Sequence, residues 1–233
     1  MERPPDILAP PCEAGGAKSI TLHISAGEVT LTGDLEIPEN AGGLVLFAHG
    51  SGSSRHSPRN QAVAARLRVA GMATLLFDLL TPHEEVEEAY RGHLRFDIEL
   101  LSSRLAMITR KIASDPQVER LGLGYFGAST GAAAALRAAA AVGSPVGAIV
   151  SRGGRPDLAG EALVHVKAPT LLIVGERDEK VLELNERACA QLQCEKALVV
   201  VPRATHLFEE PGTLEEVARL AANWFRKYLK ARQ

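Results

Sequence analysis

Cysteine is scarce: three residues, Cys12, Cys189 and Cys194, at irregular spacing in 233 positions. That gives neither a disulfide framework nor a metal-ligand set, so no metal is expected. Cys189 and Cys194 fall in one expected helical stretch and read as small packing residues. Aromatic residues are only 4% of the chain, which leaves Ala and Leu to do much of the packing. Charge of one sign is missing too. With 26 Lys and Arg against 28 Asp and Glu, the net charge of −2 makes no case for nucleic acid or an anionic membrane surface as partner. No apolar run approaches bilayer-spanning length. The N-terminal MERPPDILAPPCEAGGAK has Pro where a secretion signal needs an uninterrupted apolar segment. A cytoplasmic protein is therefore expected.

What is present is ordinary for a soluble domain. At 46% hydrophobic and 23% charged, 233 residues suit one α/β domain with a sizeable core. Residues 1–18, rich in Pro and Gly, read as a flexible leader, and residues 19–233 as the domain. Ile20–Ile24 and Val29–Ile37 alternate like an antiparallel hairpin with one wet face. The runs Leu44–Ala48, Met72–Leu80, Val146–Val150, Ala168–Val174 and Ala197–Val201 read as strands, most of them short and apolar throughout. Helical spacing covers about Gln61–Val69, Phe96–Ala113, Val181–Gln193 and Leu214–Lys230. Thr81–Arg95, with two His and four Glu, reads as a charged connector. Strands alternating with helices predict a doubly wound, mostly parallel sheet with helices on both faces.

One stretch organises the rest. Leu121–Ala141 runs from an apolar strand through Gly127-Ala128-Ser129-Thr130-Gly131 into an Ala-rich helix. This is G-x-S-x-G between a strand and a helix, the setting of a nucleophile elbow. Strand and helix cross closely there, so the positions two before and two after the Ser favour residues without Cβ. The turn lifts the hydroxyl clear of the sheet, beside helix N-terminal N–H groups that favour negative charge. Ser129 is the candidate nucleophile. The plain alternative is a Gly-rich turn with an idle Ser.

A Ser hydroxyl needs a base, and the base needs a group to orient it. In doubly wound sheets the site lies beyond the strands' C-terminal ends. His206 follows the last strand and Asp178 the one before it. The order Ser129, Asp178, His206 is the one expected of an α/β-hydrolase arrangement. Glu176 and Glu179 compete with Asp178. Among the other His residues, His49 is expected to shape the turn after its strand, and His56 lies in the loop beyond it, within reach of substrate. For an oxyanion hole, the candidate donors are the N–H of Thr130 and that of Ser51, with Gly52 the adjacent alternative.

Residues about 20–231 resemble a compact α/β-hydrolase, most similar to the dienelactone hydrolase family and its small carboxylesterase relatives. The segments that carry the resemblance are FAHGSGS, GYFGASTG, LLIVGERD and PRATHLFEEPG. It implies an eight-stranded sheet, ester or lactone hydrolysis through an acyl-enzyme, and no cofactor. The founding dienelactone hydrolases use Cys as nucleophile, whereas position 129 is Ser. General ester chemistry is therefore expected, ahead of specificity for a dienelactone. Thioester cleavage, acyl transfer, perhydrolysis, attack on phosphotriesters, or a non-catalytic binding role are the other readings.

About 50 residues separate Ser129 from Asp178, and recognised elements fill them, leaving no room for a cap domain. An open pocket for a small ester or lactone follows, with Thr81–Arg95 the one candidate for a partial lid. Arg55 and Arg59 follow the oxyanion loop, and Arg152 and Arg155 follow a strand end. These are candidates to receive a carboxylate or phosphate of the substrate. Pairing with local acids, Asp157 for Arg155 and the Glu-rich connector for the others, is the alternative. A monomer or homodimer is expected.

Overall fold

The computed structural model describes residues 18–143 and 145–230. The expected leader lies outside them except for Lys18. Eight strands form one sheet: β1 (Lys18–Ala26), β2 (Val29–Ile37), β3 (Gly43–Ala48), β4 (Met72–Phe77), β5 (Gly122–Ala128), β6 (Val146–Arg152), β7 (Thr170–Gly175) and β8 (Lys196–Val201). Their spatial order is β1-β2-β4-β3-β5-β6-β7-β8. β1 with β2, and β2 with β4, pair antiparallel, while the remaining pairs are parallel. This is the α/β-hydrolase fold.

Chain order steps from β3 to β4 on one side, then back to β5 on the other. The loops after β3 and β5 therefore part at the switch point, where such sheets form their crevice. The central strands β3, β4 and β5 are buried on both faces, which is why they read as continuous apolar runs, whereas the edge strand β8 is only partly covered. In β5, Tyr125 packs on the face covered by α3 (Ile98–Ile112) and α4 (Thr130–Val142), and Phe126 on the face covered by α1 (Pro58–Val69) and α6 (Thr213–Tyr228). Burying each such ring contributes roughly 1.5–3 kcal/mol. Ala132 to Ala135 of α4 are fully buried, and their small side chains let that helix lie close to the sheet.

The connector holds a helix that its charge concealed. α2 (Pro82–Arg91) starts with a capping box between Thr81 and Glu84 and ends on Gly92 at φ 65°. Glu84 also binds Arg104 of α3 at 2.5 Å. Burial opposes the charge on Glu84, but hydrogen bonds from Arg104 and Thr81 hold its carboxyl at about 2. A second helix, α5 (Glu179–Gln191), stops before Cys194, so the two cysteines do not share it. Both are free thiols packed against the core. Among the described residues no helix is long and apolar enough to cross a membrane.

Candidate active site

Ser129 adopts φ 50° and ψ −122°, a conformation that costs a non-Gly residue energy and persists only where the surroundings impose it. The imposing contacts are visible. A Cβ on Gly127 would lie 2.5 Å from Ala132 Cα, and one on Gly131 would lie 2.1 Å from the Ala48 carbonyl oxygen. Neither position admits a larger residue. The Ser129 N–H donates to the Arg152 carbonyl at 3.3 Å, and the Ser129 carbonyl accepts from Arg155 N–H at 3.0 Å. Gly50 presses against the elbow from the β3 loop: a Cβ there would sit 3.0 Å from Ser129 Cβ.

The base and acid candidates come together. His206 Nδ1 lies 2.6 Å from Asp178 Oδ2. Asp178 follows β7 and is the more buried partner, with its side chain 16% exposed against 38% for His206. An Nδ1–H donated to that carboxylate fixes the tautomer and leaves Nε2 to take a proton. The competing acids are elsewhere: Glu176 accepts the Arg203 N–H at 2.7 Å, and Glu179 opens α5 exposed to solvent. Gly153 lets the His206 loop approach the Arg152–Gly153 peptide, since a Cβ there would meet the His206 carbonyl oxygen at 3.1 Å and Nδ1 at 3.5 Å. Asn185, buried in α5, donates to the Gly154 carbonyl at 2.9 Å and holds this loop. No local motif announced that role.

The oxyanion candidates are joined to each other. Ser51 N–H donates to Thr130 Oγ1 at 2.9 Å, so in this state the Ser51 donor is occupied by a hydroxyl. Thr130 is 4% exposed at the start of α4. Gly52, at φ 70°, lies in a turn closed by Ser53 N–H to the Gly50 carbonyl at 3.2 Å. His49 shapes this loop: its Nδ1 is 3.0 Å from the Gly50 carbonyl, and its Nε2 accepts the Leu79 N–H at 3.1 Å. Burial pushes its pKa down, and the ring is neutral.

Two of the four candidate anion-binding arginines are locked into carboxylates. Arg155 makes a two-pronged pair with Asp157, at 2.8 and 2.7 Å. Arg55 bridges Asp34, at 3.1 Å, and Asp78, not the Glu-rich connector. Neither guanidinium is free for a substrate in this state. Among the described residues, Arg152 is buried with no such partner, and Arg59 meets only Glu209, at 3.0 Å. His56 is exposed and borders a cleft of about 570 Å³ between the oxyanion loop, the start of α1 and the start of α2. Ser51, Arg59 and Glu85 also line it, whereas Ser129 and His206 do not. Sequence reasoning did not single out Arg95, which binds the buried Glu88 at 2.8 Å and brings Nη1 within 3.9 Å of the Cβ position of Gly52.

A dienelactone hydrolase from Anabaena variabilis, known from its crystal structure, is 58% identical and superimposes with a TM-score of 0.90 over 92% of this chain and 99% of that one. The chain belongs to the dienelactone hydrolase family. Curated proteins from two strains of Mycobacterium tuberculosis are 60% identical to this family member over 208 residues, 89% of its length. They are provisionally named phosphoribosyl transferases, and the chain spans 46% of their length. Est1E from Butyrivibrio proteoclasticus, 17% identical, has the same fold, with a TM-score of 0.73 over 89% of this chain and 98% of that one. No protein-family model matches the chain.

Proposed function

We propose that this chain is a hydrolase, a serine esterase that cleaves carboxylic ester or lactone bonds of small substrates through an acyl-enzyme. The observation that carries the reading is the 2.6 Å contact of His206 Nδ1 with Asp178 Oδ2, taken together with a Ser held at φ 50° directly after β5. His206 Nε2 removes the Ser129 proton as Oγ attacks the carbonyl carbon, and Asp178 stabilises the imidazolium that forms. The carbonyl oxygen, now negative, takes the Thr130 N–H and the Ser51 N–H, the latter released from Thr130 Oγ1. His206 then gives its proton to the departing alkoxide. Water, deprotonated by the same ring, cleaves the acyl-enzyme and restores Ser129. No cofactor takes part in these steps. The transferase name of the Mycobacterium proteins belongs to longer chains, and a Ser-His-Asp set suits acyl chemistry instead.

The test is intact-mass spectrometry after treatment with a fluorophosphonate. One adduct on wild type is expected, absent from Ser129→Ala and slowed in His206→Ala. Ser129→Ala should also lower kcat by about 10³-fold or more. Wild-type protein that takes no adduct, or a Ser129→Ala variant with full turnover, would remove Ser129 from the mechanism.

A further inference from the structure

Arg152 is the last residue of β6 and is 7% exposed. Its Nε and Nη1 are buried and have no hydrogen-bond partner among the described residues. Ala148 and Val150 of the same strand pack beneath α1 and α6. Side chains repeat every second residue along a strand, so Arg152 continues that face at its C-terminal end. There its charge meets that of Arg59, in the first turn of α1. Burial, and then this second cation, lower the Arg152 pKa to about 10. At neutral pH Arg152 stays charged.

A buried charge is normally matched by a counter-charge. Arg55, Arg104 and Arg155 each have one or two carboxylates. Among the described residues Arg152 has none, and Arg59 has only Glu209, whose side chain is 62% exposed. Arg59 Nε is itself buried and unpartnered. The first turn of α1 holds no acid, and Ser57 gives it no side-chain cap. The positive end of that helix thus adds to two guanidinium groups. This deficit of negative charge borders the crevice. The Arg152 carbonyl holds the Ser129 N–H at 3.3 Å, and Arg59 lines the cleft that begins at Ser51.

We propose that Arg59, Arg152 and the N-terminus of α1 bind a phosphate group carried by the ester or lactone that Ser129 attacks. The carboxylates nearby are Glu209 on Arg59, Glu85 at the cleft, and Asp78, which Arg55 already holds; two guanidinium forks and a helix end suit the several oxygens of a phosphate better than the two of a carboxylate. The inference rests on the serine esterase reading for its reaction and adds the charged group of the substrate.

Calorimetric titration of inorganic phosphate into the full chain carrying Ser129→Ala tests it, with acetate and chloride at equal ionic strength as the other arms. Fluorophosphonate labelling of wild type runs beside it as the separate readout of the esterase. Saturable phosphate binding is expected, weakened about tenfold or more by Arg59→Gln and by Arg152→Met, with no binding of acetate or chloride. Arg59 is the less buried of the two, with its side chain 34% exposed, so its variant keeps the test open where Arg152→Met fails to fold. No phosphate binding, or binding unchanged in Arg59→Gln, overturns the site while a labelled Ser129 leaves the esterase standing. Acetate bound in preference to phosphate overturns the assignment in favour of a carboxylate. Phosphate binding without labelling overturns the substrate role.

Discussion

His49 and His206 both stand just past the C-terminal end of a strand, on opposite flanks of Ser129. His49 is 7% exposed, and both ring nitrogens are taken by backbone groups, the Gly50 carbonyl and the Leu79 N–H. His206 is half open, and one ring nitrogen is taken by a carboxylate. The difference lies in the partners. Backbone partners leave an imidazole with no proton to exchange and no lone pair to offer, so His49 is a joint between the loops after β3 and β4. A carboxylate stabilises the charged form of the ring and leaves the other nitrogen open, which is what a general base requires.

Substitution at each ring is the strongest way to break the contrast. His206→Ala should lower kcat on a small ester by about 10³-fold or more, with Tm close to wild type. Asp178→Asn should fall in the same range, because an amide no longer favours the Nδ1–H tautomer. Steady-state turnover and thermal melting on the same preparations check both. A His206→Ala enzyme with wild-type turnover would mean that the contrast has no chemical meaning. His49→Ala should behave in the opposite way. It leaves the Leu79 N–H buried without an acceptor, at a cost of about 1–3 kcal/mol. For a domain of this size Tm should drop by roughly 2–12 °C, while Ser129 still takes a fluorophosphonate. A His49→Ala melt identical to wild type would show that the joint does not bear load.

The two histidines were separable in the sequence only by their position in the order of elements. His206 had Asp178 one strand earlier and Ser129 before that, an order that Asp178 Oδ2 at 2.6 Å now matches in space. The elbow was legible because its residues are contiguous, although its constraint is only half local: Gly127 sits against Ala132, while Gly131 sits against Ala48 of β3. The buried strands were legible from their apolar runs, although β4 ends at Phe77 and not at Leu80. The Leu79 N–H turns to the His49 ring in place of a ladder partner. Helix α2 was masked by its four Glu residues, yet its signals, Thr81-Pro82-His83-Glu84 and Gly92, are in the chain. The arginine partners divide by distance. Arg155 with Asp157, two positions away, could be foreseen. Arg55 with Asp34 and Asp78, more than twenty positions away in each direction, could not, because only the sheet brings them together.

Acid sharpens the comparison by separating two kinds of ion pair. Asp178 faces an imidazole, whereas Glu84 faces the guanidinium of Arg104. The Glu84 carboxyl is held at about 2 against an ordinary 4.5. A depressed carboxyl contributes stability that is fully present above its unfolded pKa and is lost as pH falls through its folded one. The Tm difference between wild type and Glu84→Gln should therefore be level above about pH 5 and shrink steadily towards pH 2. Melting curves across that range measure it. A gap that stays constant on acidification would show that the Glu84–Arg104 pair adds nothing to the anchoring of α2.

The smallest effect is expected where an arginine of the crevice is already satisfied at the surface. Arg155 and Asp157 form a well-shaped two-pronged pair, but the Arg155 side chain is 38% exposed and Asp157 26%. Water competes for both partners and salt screens them, so Arg155→Gln should cost less than about 1 kcal/mol. The backbone contact that matters, Arg155 N–H to the Ser129 carbonyl at 3.0 Å, survives the substitution because it belongs to the main chain. Fluorophosphonate labelling should therefore proceed at close to the wild-type rate, and Tm should move by a degree or two at most. A large fall in labelling with Tm unchanged would mean that the Arg155 side chain leaves Asp157 to meet the ligand. The distinction between satisfied and unsatisfied arginines would then fail at the residue where it is most clearly drawn.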